Sequence, residues 1–266
     1  MTTTTFEFDE AASRGGALRE VAGALPDGAY TTFRTHGAKG VVRLPQHVLR
    51  LNESIALQGG HGAVDEARVR QAIAAALERT RHPESRLRLR FAPPRLFVSV
   101  EPFQPLPAAL YRDGVACITL LLRRPNPHAK DTRFVAAAEA AYKAFAPGVH
   151  EGIMVGEDGA LLEGLSSNFF AVLGAVLRTE AERVLLGITR SLVLEAAAPV
   201  LPLEPCAVRR ADLPRVSEAF VTSVSREVLP VVRIDDRPVG DGRVGPKTKA
   251  VIQRFAALVE REAEPL

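Results

Sequence analysis

The sequence predicts an α+β protein, because helical and strand-like segments both occur along its 266 residues without a regular alternation. Residues 85–91 alternate strictly between arginine and apolar side chains, which is typical of a strand with one buried face. Beyond residue 150, short apolar runs separated by Gly and Asp indicate a meander of strands. Apolar residues at helical spacing follow or precede these strands at irregular intervals.

The first half of the chain begins with a predicted hairpin, whose strands 29–36 and 41–44 flank a Gly-bounded turn. A helix follows, because Leu44, Val48, Leu51 and Ile55 form one apolar stripe and Gly59 suits its end. A second helix is predicted around residues 69–77. Strands 85–91 and 95–103 then form another hairpin across a Pro-Pro turn.

The second half follows a strand at 115–122 and a proline-rich stretch. We place an interdomain linker at residues 123–129, between a small N-terminal domain (1–122) and a larger C-terminal domain (130–266). Helices are predicted after Lys130, from about 190 to 198, and around Val251, Phe255 and Leu258. The strands of the meander lie between the first two, and strands 218–223 and 230–235 precede the last.

Composition excludes several classes of protein. The net charge is only +3, without a basic patch, so we expect no nucleic-acid partner. No apolar run is long enough to span a membrane and no secretion signal is evident, so a soluble, cytoplasmic protein is expected. Cys117 and Cys206 stand alone and the six histidines are scattered, so no metal site is predicted.

Lys130 is the first candidate for chemistry, because it stands where the proline-rich stretch meets a predicted helix. A lysine amine is a nucleophile only when uncharged, and nearby Arg123 and Arg124 would help to lower its pKa. The alternative is an ordinary solvated lysine at a helix start.

Glu163 is the second candidate, at the end of an apolar strand and the start of a Gly-Ser-Asn loop. A carboxylate there can hold the protonated nitrogen of a pyridine ring, as in enzymes that use pyridoxal phosphate, or it can pair with an arginine or cap the loop. Residues 187–190 (GITR) begin a helix, whose backbone N–H groups favour a phosphate. Arg50, beside an apolar helical stripe, either reaches inward as a cation or lies on the surface.

Six stretches, in this order, resemble the class IV aminotransferases of fold type IV, the family of branched-chain aminotransferase, D-amino-acid aminotransferase and aminodeoxychorismate lyase. They read YTTFRT (30–35), LPQHVLRL (44–51), RRPNPHAKDTRF (123–134), GEDGALLEGLSSNFFAV (156–172), LLGITR (185–190) and TSVSREVLPVVRID (222–235). The resemblance implies a small N-terminal α/β domain, a larger barrel-like C-terminal domain and a homodimer.

The resemblance also implies roles for single residues around pyridoxal 5'-phosphate. Lys130 would bond covalently to the cofactor and move protons, and Glu163 would hold the pyridine nitrogen. The phosphate would be held by Arg50, Ile188, Thr189, Ser223 and Val224. For the substrate, the candidates are Tyr30, Thr32, Arg34, Arg88 and Arg90, although alternating arginines also suit an exposed sheet face.

The implied activity is a transaminase that exchanges amino groups between an amino acid of the branched-chain type and a 2-oxo acid. Aminodeoxychorismate lyase, which gives p-aminobenzoate and pyruvate, and D-amino-acid transaminase are the alternatives. The chain departs from the family's usual residues at Arg133 and Phe134, where Asn and Tyr are common, and at Val224, where Thr is common. The Thr31-Thr32 pair is reminiscent of the lyase.

Overall fold

A computed structural model of the chain describes residues 2–9 and 17–266. The strands, numbered in chain order, are β1 (Thr4–Asp9), β2 (Ala17–Glu20), β3 (Ala29–Arg34), β4 (Gly40–Val42), β5 (Ser85–Ala92), β6 (Arg95–Pro102), β7 (Val115–Leu120), β8 (Val149–Val155), β9 (Leu161–Gly164), β10 (Asn168–Leu173), β11 (Val176–Arg178), β12 (Leu203–Glu204), β13 (Val216–Ser223), β14 (Glu227–Ile234), β15 (Arg237–Pro238) and β16 (Ala263–Pro265). The α-helices are α1 (Leu44–Leu57), α2 (Glu66–Thr80), α3 (Ala108–Asp113), α4 (Arg133–Lys143), α5 (Ile188–Ala197) and α6 (Pro246–Glu262).

The chain divides into two compact units. The first unit holds the described residues up to 104, together with 128–133 and 260–266, and the second holds 105–127 and 134–259. These bounds differ from the linker predicted at 123–129. Strand β7 pairs with β14 and β8 of the second unit, whereas Asp131 pairs with Ala29 of the first. The division into independently folding domains stays a prediction.

The first unit is built on an antiparallel sheet of the order β2-β1-β6-β5-β3, against which α1 and α2 pack. Strand β5 keeps the predicted alternation. Its apolar residues Leu87, Leu89 and Phe91 are buried, whereas the arginines between them are only partly covered. One face of this sheet is therefore apolar core, and the other carries a row of cations.

Helix α1 confirms the helix predicted from its apolar stripe. Leu44, Val48, Leu51 and Ile55 are all buried, and the helix ends two residues before Gly59, whose φ of 74° is left-handed. Strand β16 pairs with β4 in this unit, and the Arg43 guanidinium donates to both carboxylate oxygens of Glu262.

The second unit contains a closed barrel, which confirms the barrel-like domain expected from the resemblance. Its sheet has the order β12-β11-β10-β13-β14-β7-β8-β9, and β9 pairs back with β10. The interior is packed with apolar residues, which include Val115, Cys117, Ile153, Leu161, Phe169, Ala171, Val221, Leu229 and Val231. Across the described residues, no helix is both long and apolar enough to cross a membrane.

Strand register in the barrel brings three polar residues side by side. Asn168 is opposite Glu163 on β9 and opposite Thr222 on β13. All three are buried, with exposed fractions of 6% for Asn168, 2% for Glu163 and 1% for Thr222. Buried polar groups need partners, so their surroundings define the candidate site of this unit.

Candidate active site

The backbone of Lys130 is fixed on both sides within the first unit. Its N–H donates to Ser54 Oγ on α1 (3.0 Å), and its carbonyl accepts the N–H of Tyr30 on β3 (3.0 Å). Asp131 then forms a bridge with Ala29, and α4 begins at Arg133. Lys130 therefore stands at a helix start, as predicted, and its main chain is held by a strand and a helix.

The side chain of Lys130 lies against Tyr30. Its Nζ is 4.8 Å from the centre of the Tyr30 ring, and the guanidinium carbon of Arg88 is 5.3 Å from the same centre. Cations are attracted to the face of an aromatic ring at these distances. Tyr30 therefore brings a cation of the β5 row into the neighbourhood of the Lys130 amine.

Arg50 reaches inward, so the surface interpretation of this residue is wrong. It is 9% exposed, and its Nη2 donates to Thr31 Oγ1 (2.6 Å). Thr31 Oγ1 in turn lies 2.6 Å from His47 Nδ1. Burial lowers the pKa of Arg50 to about 10, and burial with the charges of Arg50 and Lys130 lowers the pKa of His47 well below its usual value. A neutral His47 is thus the acceptor that ends this chain of hydrogen bonds.

Glu163, in the second unit, is held by Arg124. The Arg124 Nε donates to Glu163 Oε1 (2.9 Å), and the N–H of Leu185 donates to Oε2 (3.2 Å). The side chains of Arg124 and Glu163 are only 6% and 3% exposed. Arg124 was expected to act on Lys130, but its ion-pair partner is Glu163. Arg123, expected to do the same, is 85% exposed and lies 3.7 Å from Glu157.

The start of α5 offers uncapped backbone donors. Gly187 is the N-cap residue and has no side chain to accept the first N–H groups, which belong to Ile188 and Thr189. A Cβ on Gly187 would lie 2.5 Å from Asn168 Oδ1, so no larger residue fits without displacing Asn168. Asn168 itself donates to the carbonyl of Leu185 (2.7 Å). The arrangement suits an anion at the positive end of a helix.

The turn after β13 supplies further donors in the same unit. Thr222 is 1% exposed, and its Oγ1 has no hydrogen-bond partner among residues 2–9 and 17–266. Ser223 ends the strand and Val224 enters the turn, where both are partly exposed. A buried hydroxyl without a partner is costly, and a ligand that accepts from it would remove that cost.

The candidate substrate residues on β3 and β5 share the polar face of the first sheet, and Thr32 lies opposite Arg88. Arg34 donates to Glu84 (3.1 Å), and Arg90 donates to the carbonyls of residues 25 and 26. Arg88 forms no ion pair within residues 2–9 and 17–266. Of these arginines, Arg88 therefore has the most capacity to bind a carboxylate.

The two residues that depart from the family's usual pattern have different surroundings. Arg133 is 63% exposed and pairs with Asp131. Phe134 is buried, and the guanidinium carbon of Arg124 lies 4.0 Å from its ring centre. Phe134 thus supports the arginine that holds Glu163.

Sequence reasoning missed several residues of these arrangements. His47 and Ser54 lie one helical turn before and after Arg50, so their positions on one face of α1 were available from the spacing. Asn168 and Thr222 lie in polar turns of the sequence, but only strand register shows that both stand beside Glu163.

Comparison with known proteins agrees with this architecture. The family profile described as amino-transferase class IV matches residues 28–234. One relative is a Methanocaldococcus jannaschii protein provisionally named a branched-chain-amino-acid aminotransferase. It is 32% identical over 161 residues, which cover 57% of this chain and 55% of that protein. The chain therefore spans about half the length of this relative.

Solved structures share the fold over nearly the whole chain. The branched-chain aminotransferase from the archaeon Thermoproteus uzoniensis, solved with norvaline, has a TM-score of 0.82 at 22% identity and covers 98% of both chains. A T.th. branched-chain amino acid aminotransferase, solved with pyridoxamine 5'-phosphate, has a TM-score of 0.81 at 23% identity, covering 97% of this chain and 94% of that one. A barrel closed by β9 and β10, together with a smaller α/β unit, is thus the fold of an aminotransferase-like protein. The chain belongs to the class IV aminotransferase family.

Proposed function

We propose that this protein is a pyridoxal phosphate-dependent transaminase that acts on an amino acid of the branched-chain type and a 2-oxo acid. The observation that carries the proposal is the buried ion pair of Glu163 with Arg124. A carboxylate kept ionised out of water is the partner that a protonated ring nitrogen requires. The names of the similar proteins support the same substrate class.

The residues of both units fit the chemistry of this cofactor. In the second unit, Glu163 suits the ring nitrogen, and the uncapped N–H groups of Ile188 and Thr189 suit the phosphate. The unpartnered hydroxyl of Thr222 adds a donor there. In the first unit, the buried Arg50 Nε has no hydrogen-bond partner within the described part of the chain. We assign the phosphate to Arg50, Ile188, Thr189, Ser223 and Val224, and the aldehyde to Lys130.

The cofactor, when bound, supplies a ring that withdraws electrons from the α-carbon of the substrate. Lys130 Nζ would be the base that takes the proton from that carbon, and the fixed backbone of Lys130 limits where the amine can reach. Glu163 would accept the hydrogen bond of the ring N–H, and Arg124 holds that carboxylate in place. Arg88, on the same Tyr30 ring as Lys130, binds the substrate carboxylate.

Replacing Arg88 by glutamine is expected to raise the KM for the amino acid substrate about 10- to 100-fold, the value of a charge-assisted hydrogen bond, with a smaller effect on kcat. Steady-state kinetics measure both constants. Arg95→Gln is the matched control, because Arg95 lies on the same sheet and is paired with Glu7. If the KM of Arg88→Gln were within twofold of that of the control, Arg88 would not be the residue that binds the substrate carboxylate.

A half-reaction tests the proposed activity. Protein loaded with pyridoxal phosphate is mixed with single L- and D-amino acids, and the absorption band of the bound cofactor is followed. We expect leucine, isoleucine or valine to convert the cofactor to its amine form, and a 2-oxo acid to restore it. If no amino acid changed the band while aminodeoxychorismate was converted to pyruvate, the transaminase assignment would be wrong and the lyase would replace it.

Two further expectations belong to the proposal. The resemblance implies a homodimer, and composition implies a cytoplasmic enzyme without a nucleic-acid or membrane partner. Light scattering on the purified protein measures the mass in solution, and we expect the mass of two chains.

A further inference from the structure

Glu151, on β8, is a fully buried carboxylate that the proposed reaction does not use. Its Oε1 accepts from the Tyr142 hydroxyl (2.7 Å), the N–H of Gly152 (2.9 Å) and the N–H of Leu165 (3.2 Å). Its Oε2 accepts from Ser167 Oγ (2.8 Å). These donors give a carboxylate that is out of contact with water the hydrogen-bond partners it needs.

Arg226 supplies the countercharge from the turn between β13 and β14. Its Nη1 lies 3.2 Å from Glu151 Oε2 and donates to Ser166 Oγ (2.8 Å), while its Nη2 donates to the Tyr142 hydroxyl (3.3 Å). Burial opposes the charge, but Glu151 and Tyr142 raise the pKa of Arg226. Burial and Glu151 raise the pKa of Tyr142 to about 12, so its hydroxyl remains a donor. We name Tyr142, Glu151, Ser166, Ser167 and Arg226 the Glu151 cluster.

The cluster shapes the loop that joins β9 to β10. A Cβ on Gly164 would lie 2.2 Å from Ser167 Oγ and 2.8 Å from the Glu151 carboxyl carbon, so the carboxylate packs directly on the loop backbone. The N–H of Gly164 also donates to the Ser167 carbonyl (2.8 Å). Glu163 is the second residue before this loop, and Asn168 comes directly after it. The conformation of the loop therefore sets the backbone positions from which the Glu163 and Asn168 side chains extend.

Arg226 connects this loop to a second one. It is the third residue of the turn 224–226, which follows Thr222 and Ser223, and its carbonyl accepts the Tyr111 hydroxyl (3.1 Å). One guanidinium thus joins the hairpin that carries Glu163 to the turn assigned to the phosphate. A rigid cofactor needs both ends of its site at a fixed separation.

We propose that the Arg226–Glu151 ion pair is a positioning clamp that sets the separation between Glu163 and the turn after Thr222, and so determines how tightly the cofactor is held. This inference rests on the proposed function. The clamp acts through other residues and touches no reacting atom.

Three variants of the full chain test the clamp: Arg226→Met, Glu151→Gln and the double variant. Titration with pyridoxal phosphate gives its Kd, ³¹P NMR reports the bound phosphate, and thermal unfolding without cofactor gives the Tm. Arg226→Met leaves a buried carboxylate unpaired, so its Tm falls. The double variant removes both charges and recovers most of that loss. We expect it still to bind pyridoxal phosphate about tenfold or more weakly than the wild type, with a shifted phosphate resonance.

Arg210→Met is the matched control, because Arg210 forms an exposed ion pair with Asp235 in the same unit. It should change neither the Kd nor the Tm. A double variant with recovered Tm and a Kd within twofold of the wild type would overturn the clamp and leave the proposed function intact. Failure of the wild type itself to bind pyridoxal phosphate would overturn both. If Arg226→Met does not fold, the Kd of Glu151→Gln for pyridoxal phosphate is used in its place, because glutamine keeps the shape of the glutamate side chain. A Kd within twofold of the wild type would again overturn the clamp.

Discussion

Replacement of Lys130 by alanine is expected to lower kcat by a factor of about 10²–10⁴ or more, the usual contribution of a general acid or base in proton transfer. The fall in kcat comes from the missing amine and not from a change in the fold. The backbone of Lys130 is held by Ser54 and Tyr30 through main-chain groups, so removal of the side chain leaves these hydrogen bonds in place. The fold should therefore survive while the proton transfer stops.

The measurement is the rate of the half-reaction with a branched-chain amino acid, followed by stopped-flow absorbance. Lys143→Ala is the control, because Lys143 is an exposed lysine in the last turn of α4. Added methylamine should restore part of the rate to Lys130→Ala and none to the wild type. Retention of the wild-type rate by Lys130→Ala would remove Lys130 from the reaction.

Replacement of Glu163 by glutamine is expected to affect both stability and activity. Arg124 would lose its buried partner, at a cost of about 3–5 kcal/mol in the free energy of unfolding. The ring nitrogen of the cofactor would lose its charged acceptor, and we expect kcat to fall about 100-fold or more, as when one charge-stabilising group is removed from an active site. Urea unfolding without cofactor and steady-state kinetics measure the two effects separately.

The control for this variant is Glu157→Gln. Glu157 also faces an arginine, but its side chain is 95% exposed, so its neutralisation should change stability and kcat little. If Glu163→Gln lost stability and kept full activity, Glu163 would be a structural partner of Arg124 alone, which was the alternative left open by the sequence.

The sequence predicted the elements whose pattern is local. The alternation of β5 and the apolar stripe of α1 each follow from one buried face, and both are present. Strand β1 was missed, although Phe6 and Phe8 alternate with polar residues there, because the threonine-rich end gave no turn signal. Closure of the barrel depends on long-range pairing, such as that of β10 with β13 and of β14 with β7, which no local pattern reveals.

The residues of the candidate site also differ in whether a local pattern or only the fold reveals them. Arg50 was identified from its place beside an apolar stripe, and Lys130 and Glu163 from their positions at element ends. The partner of Arg124 was not, because a buried ion pair between residues 39 positions apart is set by the fold. For the same reason the Glu151 cluster became visible only in the structure.

Reductive trapping tests the central assignment most directly. The protein is loaded with pyridoxal phosphate, reduced with borohydride and digested, and the peptides are identified by mass spectrometry. We predict one phosphopyridoxyl group per chain, on Lys130. A label on another lysine, or no label on a protein that has bound the cofactor, would contradict the assignment of Lys130 as the residue that holds it.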